Sequence, residues 1–84
     1  MISILVLTLN EEVNLRRCLD SLKWSDDIVV LDSFSVDGTL DIAREFNARV
    51  VQRKFDNWSA HQNWAVSNIV FKHQWVLYLD ADER

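Results

Sequence analysis

The sequence predicts an α/β fold, a Rossmann-like parallel sheet of order 3-2-1-4 in a βαβαβαβ chain with helices on both faces, and three observations lead there. Four short apolar runs, at 2–7, 28–31, 48–52 and 75–79, alternate with three stretches of helical periodicity. The clearest of these runs are continuous rather than alternating, as expected of strands buried on both faces. Each run leads into a polar segment, and in a parallel sheet those segments gather at one edge.

The first strand is Ile2-Ser3-Ile4-Leu5-Val6-Leu7, and Thr8-Leu9-Asn10-Glu11-Glu12 breaks it. A helix follows to about Lys23, with Leu15, Cys18, Leu19 and Leu22 spaced on one face. Asn10 or Thr8 is its candidate cap, and Glu11 and Glu12 suit the positive end of its dipole. Cys18 lies inside the leucine stripe and reads as a small core residue rather than a nucleophile.

Ile28-Val29-Val30-Leu31 forms the second strand and ends at Asp32. The turn-rich segment Asp32-Ser33-Phe34-Ser35-Val36-Asp37-Gly38-Thr39 opens a helix over 39–46, with Ile42, Ala43 and Phe46 inward and Asp37 or Thr39 as cap. Residues 48–52 form a shorter third strand, and Arg53 to Asn57 the next loop. A third helix spans 58–70, with Trp58, Ala65 and Ile69 on one face and Trp64 on another. Residues 75–79 form the fourth strand.

Right-handed crossovers then fix the layout. Moving outward through strands one, two and three puts the first two helices on one face. A return crossover sets the fourth strand beside the first and the third helix on the opposite face. The reversal between strands one and four is a topological switch point, where open α/β sheets bind ligands. Asn10–Glu12, Asp32–Asp37, Arg53–Lys54 and Asp80–Glu83 all fall at that carboxyl edge.

Composition narrows the function. The 84 residues allow one small domain with a limited core, and about half of them are apolar. The net charge of −4 and the lack of a basic stripe argue against a nucleic-acid surface. No apolar run approaches the roughly 20 residues of a transmembrane helix, and the start lacks the pattern of a signal peptide. One cysteine fits a reducing compartment, so a cytoplasmic location is expected. With one glycine and no proline there is no linker, no dinucleotide fingerprint and no Walker loop.

Phosphates at this edge therefore need another source of positive charge. Asp80, Asp82 and Glu83 crowd three carboxylates into four residues directly after an apolar strand. Carboxylates so close resist ionising together unless a cation sits among them. Hard oxygen ligands of this kind suit Mg²⁺ or Mn²⁺ carrying substrate phosphates. Arg53 and Lys54 are candidate helpers, and Asp32 could accept hydrogen bonds from a base or ribose. An Asp-x-Asp triplet alone is a weak signal, with a solvated acidic terminus as the plain alternative. The convergence of four loops strengthens it.

Three segments, Ile4–Glu12, Val30–Thr39 and Leu77–Glu83, in this order and spacing resemble the N-terminal half of glycosyltransferase family 2. That resemblance covers essentially the whole chain and implies the GT-A fold and a nucleotide-sugar donor. Asp80-Ala81-Asp82-Glu83 and Phe34 look most like the lipopolysaccharide-core glucosyltransferases of the family. The resemblance implies that Thr8, Leu9, Asn10 and Glu12 lie along the uridine and that Asp32 binds the base and ribose side. It makes Asp80 and Asp82 the DxD motif, with Asp82 ligating the divalent metal and Asp80 on the nucleotide and metal. The metal would act as a Lewis acid on the departing nucleoside diphosphate.

Two departures stand out. Asn63 occupies the place of the second residue of an Arg-Asn pair common in the family, but Gln62 replaces the basic residue. Phe34 stands where many members have glycine, implying a stiffer loop. The family's catalytic base and acceptor half lie downstream of the DxD motif, so neither is expected among these residues. The expected whole is an inverting, metal-assisted transferase acting on a glycan or lipid-linked acceptor at the inner face of a membrane. The rival class is a non-catalytic nucleotide-binding or interaction module. A haloacid-dehalogenase-type phosphotransferase is disfavoured, because its D-x-D follows the first strand. Trp58, Trp64, Phe71 and Trp75 are expected in the core or on a surface for further sequence, and His61 and His73 in structural roles.

Overall fold

The computed structural model describes residues 2–54 and 57–80, with the backbone alone for Trp58 and Asp80. The elements run β1 (Ile2–Thr8), α1 (Glu12–Ser21), β2 (Ile28–Asp32), α2 (Thr39–Glu45), β3 (Arg49–Gln52), α3 (Trp58–Asn68) and β4 (Trp75–Asp80). All strand pairs are parallel and the order is β3-β2-β1-β4, as the crossover argument requires. The first and third helices stop about two residues short of the expected ends.

The two cores are divided by the sheet. On one face Leu15, Cys18, Leu19 and Leu22 of the α1 region and Ile42 and Ala43 of α2 pack on Ile4, Val6 and Val30. On the other, Ala65 and the following Ile69 of the α3 region pack on Leu5, Leu7, Val29 and Leu31. Successive side chains of β1 thus serve opposite cores, which is why its apolar run is unbroken. Cys18 is buried in the leucine stripe, as its spacing implies.

Trp64 lies in the core, as expected of it, but not on a separate face of its helix. It is partly buried against the same cluster as Ala65, because a residue adjacent on a helix, with so large a ring, still reaches the sheet. Phe71 joins the same cluster, whereas Trp75 is 71% exposed. Trp75 lies on β4, which has β1 as its only neighbour among the described residues and forms an edge of the sheet.

Local chemistry sets the helix ends. Asn57 accepts the N–H of Ala60 at 2.8 Å and caps α3. Asn47, at φ 60°, stops α2: its N–H bonds the carbonyl of Arg44 and that of Ala48 reaches Ala43, a Schellman arrangement. At the amino edge the buried Asp27, just before β2, ties its neighbours together. It accepts from Ser3 Oγ and Lys72 N–H at 2.6 Å and from Arg49 Nη2 at 2.8 Å.

Candidate functional site at the carboxyl edge

The strand register brings the expected residues together. Thr8 lies opposite Asp32, Asp32 opposite Gln52, and Leu7 opposite Asp80. The ends of all four strands therefore meet at one edge, beside the reversal between β1 and β4. The backbone of Asp80 is the last described position of β4. Asp82, the other acid of the triplet, lies outside the described residues, as does Glu83.

Asp32 is fully buried and accepts hydrogen bonds from four groups. Thr8 Oγ1 donates at 2.6 Å, the Ser35 N–H at 2.8 Å and Gln52 Nε2 at 3.3 Å, and the Ser35 hydroxyl donates as well. Burial pushes its carboxyl up, but the Ser35 and Thr8 hydroxyls, the Ser35 N–H and the Gln52 amide outweigh it and hold it below the ordinary value. The carboxylate thereby fastens β1, β3 and the loop after β2 to one point. Ser35 and Gln52 are not among the residues to which the sequence points. The signal for Ser35 was local, since Asp at a strand end commonly accepts from a backbone N–H a few residues on. Gln52 carried no such signal.

Thr8 and Asn10 do not cap α1. Thr8 is committed to Asp32, and Asn10 serves the loop opposite: its N–H donates to Ser35 Oγ and its Oδ1 accepts the N–H of Val36, both at 2.8 Å. Asn10 adopts φ 52°, a left-handed conformation that asparagine tolerates. Glu11 occupies the cap position and makes no side-chain cap bond. Its N–H instead donates to Thr39 Oγ1 at 3.0 Å, and that of Glu12 to Asp37 Oδ2 at 3.3 Å. Asp37 also accepts from the backbone and hydroxyl of Thr39 in an Asx-type turn, but it does not cap α2 as expected: Gly38 holds the cap position and no side chain caps that helix. The Thr39 hydroxyl, foremost, holds the Asp37 carboxyl below its ordinary value.

Glu12 is exposed in the first turn of α1, and its Oε1 accepts the N–H of Gly38. Gly38 itself has φ −79°, so its backbone needs no glycine. A Cβ there would sit 3.0 Å from an oxygen of the exposed Glu12 carboxylate, a contact that a small shift of that flexible side chain relieves. Leu9 is half exposed beside this network. Phe34 is 55% exposed at φ 60°, a region that glycine enters freely and bulky residues rarely.

On the α3 side of the edge, the N–H of Arg53 bonds the carbonyl of Asp32 at 2.9 Å, extending the pairing of β3 with β2 by one residue. The guanidinium lies 3.0 Å from His61 Nδ1 and 5.8 Å from the centre of the Trp64 ring. His61 is 1% exposed, in a structural role that has a definite partner. His73 lies at the opposite edge, with Nε2 2.6 Å from Asp26.

Among the described residues no three His, Cys, Asp or Glu side chains form a group that could hold a metal, and no helix is long and apolar enough to cross a membrane. The acids expected to bind a cation, Asp80 and Asp82, are a hard-oxygen donor pair of the type Mg²⁺ and Mn²⁺ take. The backbone of Asp80 lies at the edge that such a pair requires.

This fold recurs in solved glycosyltransferases. A mannosyltransferase of Pyrobaculum calidifontis, in complex with GDP-Man and Mn²⁺, matches 96% of this chain over 27% of its own, with TM-score 0.76 and 24% identity. Glucosyl-3-phosphoglycerate synthase of Mycobacterium tuberculosis, solved with Mn²⁺, UDP and glucosyl-3-phosphoglycerate, matches 96% of this chain over 33% of its own, with TM-score 0.74 and 26% identity. In sequence, an uncharacterized glycosyltransferase of Rickettsia typhi is 35% identical over 98% of this chain, and the prophage-derived glycosyltransferase SunS of Bacillus subtilis is 31% identical over 92%. The chain spans only 28% and 19% of the length of these two relatives. The family model of glycosyl transferase family 2 matches residues 3–84, and the chain belongs to that family.

Proposed function

We propose that these residues form the donor half-site of a glycosyltransferase that takes its sugar from a nucleoside diphosphate sugar, with UDP as the expected nucleotide. The observation that carries this reading is the register of Thr8, Asp32 and the Asp80 backbone at one carboxyl edge, beside the β1–β4 reversal. Solved neighbours with UDP or GDP-Man and a divalent ion support it.

In this reading the Thr8–Glu12 loop and the Asp32–Asp37 loop line the nucleoside, with Thr8, Leu9, Asn10, Glu12 and Asp32 as its surroundings. Asp32 contributes mainly by fixing both loops. Its carboxylate is already shared among four protein donors, so a base or ribose contact requires exchange of one of them. Asp80 and Asp82 hold Mg²⁺ or Mn²⁺, which supplies Lewis-acid stabilisation of the departing diphosphate. The transfer is inverting by family resemblance, and no residue among these 84 is assigned as the base that takes the acceptor's proton. A glycan or lipid-linked acceptor, of the lipopolysaccharide-core type, at the cytoplasmic face of a membrane completes the reading.

A thermal-shift comparison of UDP, GDP and ADP tests it, each with Mn²⁺ present. The expected result is a rise in melting temperature with UDP that grows with its concentration, as for any ligand bound by the native state alone. Equal, negligible shifts for all three nucleotides would overturn the donor-site reading.

A further inference from the structure

Arg53 is placed with unusual care for a loop residue. Its backbone is held to Asp32, and its side chain meets a fully buried imidazole and an aromatic face. The pairing with His61 has only one sense. A guanidinium only donates, so His61 Nδ1 must be the acceptor and carry no proton. Burying an imidazole is costly unless its nitrogens are bonded, and an aliphatic side chain would fill the same place on α3 more cheaply. Toward Arg53 the imidazole supplies a fixed acceptor.

Fixing a long side chain costs rotamer entropy. Ordering it before a ligand arrives removes that cost from binding. Among the described residues, Arg53 and Lys54 are the basic side chains at the carboxyl edge, where Glu11, Glu12, Asp32 and Asp37 supply negative charge. A nucleoside diphosphate is itself strongly anionic. Lys54 is exposed, and its only described hydrogen bond is through its carbonyl, to Arg53 Nη1 at 3.4 Å.

We propose that Arg53 is a donor-binding residue that contacts an oxygen of the nucleotide, and that His61 is its positioning residue. The inference rests on the donor half-site reading and deepens it. It also gives the edge an ordered cation where Gln62 of α3 supplies none.

The test is calorimetric titration of UDP and of uridine, each with Mn²⁺, into the wild-type chain and four variants checked for native circular dichroism. Arg53→Gln removes the charge, and Arg53→Lys keeps it without the planar fork. His61→Leu keeps bulk without an acceptor, whereas His61→Asn restores an acceptor near the place of Nδ1. The expected result is about tenfold or greater loss of UDP affinity in Arg53→Gln, the scale of a charge-assisted hydrogen bond. A smaller loss is expected in Arg53→Lys, and a loss in His61→Leu that His61→Asn restores in large part. If uridine affinity is unchanged, Arg53 contacts phosphate; if it falls by the same factor, the contact is with base or ribose. UDP affinity in Arg53→Gln equal to wild type would overturn the proposal even if His61→Leu fails to fold. Absence of UDP binding by the folded wild type would instead overturn the donor-site reading and this inference with it.

Discussion

Glu12 and Asp37 stand at the starts of two different helices and each accepts a backbone N–H from the other's segment. Glu12 Oε1 takes that of Gly38 at 3.2 Å, and Asp37 Oδ2 takes that of Glu12 at 3.3 Å, while Asp37 Oδ1 accepts the N–H of Thr39 at 3.0 Å. Helices α1 and α2 lie side by side on one face of the sheet, so their unsatisfied first-turn donors meet. The same exchange fastens the two loops that line the candidate donor site.

Such reciprocity makes the two carboxylates interdependent. Asp37→Ala is expected to lower the urea midpoint more than Glu12→Ala, because it deprives both helices of an acceptor. The double variant should lose less than the sum of the two. Strict additivity across a double-mutant cycle, followed by urea denaturation, would contradict the exchange.

Phe34 offers a prediction of unusual sign. Left-handed backbone costs a bulky residue about 1–2 kcal/mol, which glycine avoids, while glycine loses about 0.5–1 kcal/mol through its freer unfolded chain. Phe34 is more than half exposed, so little packing is lost on its removal. Phe34→Gly should therefore be neutral or stabilising by up to about 1 kcal/mol, and Phe34→Val clearly destabilising. Urea denaturation of both variants checks this, and a substantial loss in Phe34→Gly would mean that the ring holds the loop.

Two buried carboxylates set the acid limit of the fold. Burial pushes Asp27 up, but the Ser3 hydroxyl, the Lys72 N–H and Arg49 hold it below the ordinary value of 3.8, as the donors around Asp32 do there. A group with a lowered native pKa adds stability that is present above its unfolded value and lost as pH falls through the native one. Stability should thus be level near neutrality and decline below about pH 4. Asp32→Asn and Asp27→Asn should each cost roughly 1–3 kcal/mol at pH 7, from donors left poorly matched, and each should flatten the acid decline. Asp27 lies at the amino edge, so its variant should leave nucleotide affinity unchanged. A fall in UDP affinity in Asp27→Asn as large as in Asp32→Asn would contradict that separation of roles.

The fold could be read almost completely from the sequence because its determinants are periodic. Unbroken apolar runs at 2–7 and 28–31 belong to strands with a core on each side, and right-handed crossovers leave one arrangement for the rest. The helix starts were harder. Thr8 and Asn10 look like caps by type and position, yet their partners are Asp32 and Val36, each more than twenty residues away. A cap signal is local, and a long-range competitor for the same hydroxyl or amide is invisible to it. The face on which Trp64 packs is hidden for a related reason, since a large ring reaches round a helix further than its angular position suggests. Arg53 was marked by charge and place, whereas its engagement with His61 depends on a loop meeting a helix and leaves no periodic trace.

On the proposed function, this edge binds a nucleoside diphosphate with a divalent cation held by Asp80 and Asp82. Calorimetric titration of UDP into the folded chain, with and without Mn²⁺, beside Asp82→Ala, tests it most directly. The expected result is saturable binding that weakens by about tenfold or more when Mn²⁺ is omitted or Asp82 is replaced, with no further effect of Mn²⁺ on the variant. Binding of UDP that is indifferent to both changes, or no binding by a folded sample, would contradict it.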